Sequence, residues 1–148
     1  MADIELVKKL REETQASIAD CRIALDESHG DYKKAVEWLK KRGAEIAEKK
    51  ADRQTSQGLV EAYVHSGKVG VLVTLACETD FVARTEEFKN LAHEIALQVS
   101  AMNPKDVKSL LSQEYIRDPQ MTIEQLIKQT VGKLGENIVI REFSRIEL

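Results

Sequence analysis

The sequence predicts an α+β fold: three short helices, then an antiparallel three-stranded sheet packed with helices. Three observations carry this. Residues 3 to 43 repeat apolar positions at a helical period, with no β-rich run among them. Two β-branched runs, from Leu59 to His65 and from Val69 to Leu75, flank the turn pair Ser66-Gly67, the pattern of a hairpin. A third run, from Asn137 to Phe143, follows stretches of helical pattern, so its place is beside the hairpin with the helices on one face.

Taken in order, the first helix carries Ile4, Leu6, Val7 and Leu10. Ser17, three residues ahead of Asp20, resembles a capping box and opens the second, which holds Ile18, Cys21, Ala24 and Leu25. His29-Gly30-Asp31 is a turn. The third helix places Tyr32, Ala35, Val36 and Leu39 on one face and is expected to end at Lys40-Lys41-Arg42-Gly43. Cations there suit the negative end of the helix dipole, and glycine suits a left-handed cap. Residues 44 to 57 then read as a charged helical linker running into a loop. After the hairpin, one long helix is expected from about Asp80 to Met102, stopped by Asn103-Pro104. A short helix is expected around Val107–Leu111, a break at Asp118-Pro119, and a last helix capped by Thr122 whose end Gly132 and Gly135 loosen.

Composition bounds the function. The chain has 148 residues, 43% hydrophobic and 32% charged, enough for a core and a soluble surface. No apolar run is long enough to span a membrane. Met1-Ala2-Asp3-Ile4-Glu5 is acidic and helix-like, unlike a signal or transit peptide. Cys21 and Cys77 form no Cys-x-x-Cys pair, which with no secretory signal points to free thiols in a reducing cytoplasm. A net charge of −3 argues against general nucleic-acid binding, and acidic residues flank the basic clusters Lys40-Lys41-Arg42 and Lys49-Lys50. His29, His65 and His93 have no metal spacing, there is no phosphate-cradling glycine loop, and neighbouring Glu78, Asp80, Glu86 and Glu87 do not make a facing catalytic pair. No enzyme site, metal or cofactor is expected.

The stretch Cys77–Arg84 stands at the change from strand to helix, with Thr79 or Asp80 as helix N-cap and Phe81 in the first turn. Phe81 precedes Phe88 by seven residues, so periodicity alone places it on the buried stripe of its own helix.

Thr79-Asp80-Phe81-Val82-Ala83-Arg84, after Gly70-Val71-Leu72-Val73 and Cys77-Glu78, resembles the signature of the elongation factor Ts family, guanine-nucleotide exchange factors for elongation factor Tu. Leu10–Thr14 and Asp20–Leu25 resemble the family's opening, and Gly135-Glu136-Asn137-Ile138 with Arg141–Leu148 its C-terminal signature. The resemblance implies a ubiquitin-associated-like three-helix domain at residues 1–43, a linker at 44–57 and a dimerisation-type α+β core at 58–148. It implies that Thr79, Asp80, Phe81 and Val82 contact the G domain of elongation factor Tu, with the Phe81 ring inserted between two of its helices so that GDP leaves. Asp80 is expected to orient the loop through backbone hydrogen bonds. Arg11, Ile18, Ala19 and Asp20 match the family's second contact with that domain. A homodimer is also implied. Three departures stand out: Gln15-Ala16-Ser17 replaces the family's usual Gly-Ala-Gly, Leu75-Ala76 stands where a Val-Asn or similar pair is common before the cysteine, and residues 103–121 are shorter than the segment many members carry there.

The rival expectation is a ubiquitin-binding adaptor, because the stretch Asp31–Leu39 resembles ubiquitin-associated domains. Those binders present a hydrophobic-Gly-aromatic loop after the first helix, where this chain has Thr14-Gln15-Ala16-Ser17.

Overall fold

The computed structural model describes residues 3–148, so the helix-like reading of Met1 and Ala2 lies outside the described residues. Helices α1 (Ile4–Thr14), α2 (Ile18–Glu27) and α3 (Tyr32–Lys50) come first, each opened by a side-chain cap: Asp3, Ser17 and Asp31 accept N–H bonds from Glu5, Asp20 and Lys34. They close on Val7, Leu10, Cys21, Ala24, Leu25, Ala35 and Leu39, a small core of its own. Gln15 ends α1 in the left-handed region at φ 59°, its N–H bonded to the Arg11 carbonyl. A residue with a Cβ strains that position, where glycine does not.

Helix α3 corrects one expectation. It does not end at Gly43 but runs on to Lys50, so the first half of the expected 44–57 linker is the same rigid helix. Gly43 serves another end. It meets Gly132 of α7 (Ile123–Leu134), and a Cβ built on Gly132 would stand 2.8 Å from the Gly43 Cα. The two glycines let two helix backbones cross at contact distance. Gly132 therefore does not loosen α7; the helix ends at Gly135, in the left-handed region at φ 77°.

Strands β1 (Gln57–His65) and β2 (Val69–Cys77) pair antiparallel, and β5 (Val139–Glu147) pairs antiparallel with the other edge of β2, giving the order β1-β2-β5. One face of the sheet presents Val71, Val73, Leu75 and Ile140 to Phe88, Leu91, Ala92, Ile95 and Val99 of α5 (Glu86–Met102). The other face, with Val60, Val64, Leu72 and Ile146, is uncovered. Short α6 (Val107–Ser112) and α7 complete the core through Leu110, Ile123, Ile127 and Val131.

Two further differences have physical causes. The segment expected to break at Asp118-Pro119 forms a small ladder, β3 (Glu114–Tyr115) with β4 (Asp118–Thr122). Proline is tolerated there because the sheet has two strands and every strand is an edge. Buried Gln98 holds the ladder: its amide donates to the Glu114 carbonyl at 3.0 Å and its oxygen accepts from Ile116 N–H at 3.1 Å. The long helix expected from Asp80 is two helices, α4 (Asp80–Ala83) and α5, separated at Arg84-Thr85. Thr85 breaks the run by capping α5, accepting from Phe88 N–H at 3.2 Å, while its hydroxyl donates to the Val82 carbonyl at 2.8 Å.

Candidate partner-binding site

The single turn α4 sits on the corner between β2 and α5. Below it Ala83 is buried and Val82 packs against the core; above it Phe81 is 76% exposed. The seven-residue spacing to Phe88, which is fully buried, predicted the opposite for Phe81. Thr85 has extended backbone (φ −71°, ψ 151°) between α4 and α5, which interrupts the helical period, so the seven-residue spacing no longer puts the two rings on one stripe.

Thr79 is the N-cap, its Oγ1 accepting from Val82 N–H at 3.4 Å. Asp80, expected to bond backbone N–H groups, instead pairs with the Arg84 guanidinium one turn on. Arg84 also lies 5.9 Å from the centre of the Phe81 ring, within reach of its π-face. Both charged side chains are more than half exposed, so the pair contributes little to stability. What it does is surround an apolar ring with charge at the rim.

The N-terminal group forms a second patch on a different core. Arg11, Ile18 and Ala19 are exposed and Asp20 is half-buried. Arg11 and Ile18 line one groove between α1 and α2 with Ile4, Val7, Lys8, Glu12, Gln15 and Arg22: apolar side chains bordered by three cations and one carboxylate. Asp20, which borders Ser17, lies instead on the cleft toward α7. The structure thus gathers Thr79–Val82 at one corner and Arg11 with Ile18 in one groove, and seats the two groups on separate hydrophobic clusters.

Glu136 carries a part that its sequence position does not reveal. Its carboxylate accepts Thr79 N–H at 2.9 Å and the Thr79 hydroxyl at 2.7 Å. The only sequence signal was its place in the C-terminal signature, with no role attached.

Among the described residues no group of His, Cys, Asp and Glu is placed to hold a metal ion, and no helix is long and apolar enough to cross a membrane. Burial pushes both cysteine thiols up from their ordinary range.

The family model described as Elongation factor TS matches residues 78–148, from the corner to the last strand. The whole chain is similar to elongation factor Ts of Thermoanaerobacter sp., 41% identical with 99% of this chain and 95% of that one covered. This chain belongs to the elongation factor Ts family. It is also 42% identical to elongation factor Ts of Rippkaea orientalis, covering all of this chain and 79% of that one, and 46% identical to that of Nostoc sp., covering 48% of the latter. The alignment with the Thermoanaerobacter protein runs over 193 positions, more than the 148 residues here, so that elongation factor Ts carries residues with no counterpart in this chain.

Proposed function

We propose that this protein is a guanine-nucleotide exchange factor of the cytoplasm, which binds elongation factor Tu with GDP and promotes GDP release during translation elongation. The observation that carries the reading is Phe81, an aromatic ring 76% exposed on a capped corner, within the part of the chain that the family model matches. A large apolar side chain held in water gains by entering a partner's interior. Thr79, Asp80, Phe81 and Val82 make the wedge contact with the G domain, and Arg11, Ile18, Ala19 and Asp20 make the second.

Exchange requires the factor to hold nucleotide-free partner more tightly than GDP-bound partner, and linkage makes GDP loosen the factor by the same ratio. Each tenfold in that ratio is about 1.4 kcal/mol. Burying one Phe side chain contributes roughly 1.5–3 kcal/mol, at most about two decades. The N-terminal groove therefore supplies what a larger acceleration needs. Phe81→Ala is expected to slow GDP release by about ten- to a hundredfold with the fold intact. Displacement of a fluorescent GDP analogue reads this, and equal release by variant and wild type defeats the reading.

The uncovered sheet face supports a homodimer. Val60, Val64, Leu72 and Ile146 are each more than half exposed on neighbouring strands. A second copy offers the same apolar face, and two sheets packed face to face bury both.

A further inference from the structure

Two corners of the fold are tied by reciprocal carboxylate bonds. From the α7–β5 corner, Glu136 grips Thr79 through both its backbone N–H and its hydroxyl. From the β2–α4 corner, Glu78 accepts Asn137 N–H at 2.7 Å and faces Arg53 at 3.7 Å. Asn137, 7% exposed, donates its amide to the carbonyls of Ala51 at 3.2 Å and Arg53 at 2.9 Å, just past the end of α3. The β2–α4 corner, the start of β5 and the end of α3 are thus held in one hydrogen-bonded knot.

Helix α4 needs such support. A single turn lies far below the length at which a helix holds itself, and its only buried side chain is Ala83. What starts the turn is the Thr79 hydroxyl, and Glu136 decides where that hydroxyl points. The oxygen donates its proton to Glu136 and turns its lone pair toward Val82 N–H. Without the carboxylate, Thr79 is free to rotate about χ1 and the cap is lost in most rotamers.

We propose that Glu136 is the positioning residue for Phe81: by clamping Thr79 it sets the direction in which the ring leaves the surface. The proposal rests on the exchange reading above, and it adds a residue far from the ring in sequence whose effect on exchange passes mainly through the ring. A residue that merely joined α7 to β2 would act on the fold and leave its effect independent of Phe81.

A double-mutant cycle separates the two. Maximal GDP release from elongation factor Tu is measured with wild type, Glu136→Ala, Phe81→Ala and the double variant, at saturating factor. Glu136→Ala is expected to lower the maximal rate by about tenfold or more in the wild-type background, because a misplaced group loses its effect within about 1 Å. With Phe81 already removed, it is expected to cost a markedly smaller factor, the part owed to the Thr79, Asp80 and Val82 contacts. Full activity of Glu136→Ala, or the same fold-loss in both backgrounds, overturns the proposal. Glu136→Gln, of the same size and still an acceptor, repeats the comparison with a smaller loss should the alanine variant fail to fold. Amide hydrogen exchange tests the clamp without the partner: Glu136→Ala is expected to expose Thr79 and Val82 N–H, and unchanged protection there overturns it. A wild-type protein that releases no GDP sinks the exchange reading instead, and leaves the hydrogen-exchange test of the clamp standing.

Discussion

At the scale of single residues, hydrogen-bond partners decide what each side chain does. Tyr115 is 9% exposed and donates to Glu94 at 2.9 Å, while Glu94 also holds Arg117 at 2.9 Å. Burial, and then the neighbouring Glu94 carboxylate, push the Tyr115 phenol up to about 12 from its ordinary value of 10. A folded-state value above the unfolded one stabilises the fold fully below about pH 10, and that contribution is lost as pH rises toward about 12. Tyr32 is raised to about 12 as well, chiefly by burial and then by Glu13, and adds to the same window. The Tyr115→Phe variant is therefore expected to lose less stability between pH 10 and 12 than wild type, as read by urea midpoints across that range. Parallel pH profiles for the two proteins would exclude the assignment. Gln15 belongs to this scale too: it occupies a left-handed position that favours glycine, and its own amide steadies it on the Glu12 carbonyl at 2.9 Å.

Among the elements, the crossing of α3 and α7 joins the N-terminal bundle to the core. The crossing is asymmetric. A Cβ on Gly132 would press on Gly43 backbone at 2.8 Å, whereas a Cβ on Gly43 would meet the Gly132 Cα at an ordinary 4.0 Å. Gly132→Ala is expected to destabilise: overpacking costs about 1–3 kcal/mol against roughly 1 kcal/mol gained in helix propensity. Gly43→Ala gains the propensity without the clash and is expected to be neutral or stabilising by up to about 1 kcal/mol. Thermal unfolding of the pair checks the sign of each, and equal shifts would refute the close crossing. The elements themselves were largely legible. The hairpin, the caps Ser17 and Thr122, and the helix near Val107 each follow from a local rule. The continuation of α3 past Gly43 was not, because a glycine that ends a helix and one that admits a neighbouring helix look alike in one dimension. Nor was the β3–β4 ladder, whose two-residue first strand carries no periodicity and depends on Gln98 from α5.

For the whole molecule, one sheet face is covered by α5 and one is bare. If a second copy covers it, sedimentation is expected to show a dimer at micromolar concentration, and Leu72→Glu, which places a charge at the centre of the apolar patch, is expected to return it to monomer. A wild-type monomer at every concentration would remove the dimer. The same variant leaves the Phe81 corner untouched, so it also separates self-association from exchange.

The chain alone settled the α+β class and the hairpin, because turns, caps and strand alternation are short-range properties. Its likeness to the elongation factor Ts family singled out Phe81, although its own periodicity placed that ring in the core. Only the tertiary structure turned the ring outward. Thr85 interrupts the helix, and Glu136, 57 residues from Thr79, holds the turn that results. The direction of a side chain at such a corner is set by partners remote in sequence, and no local pattern encodes them.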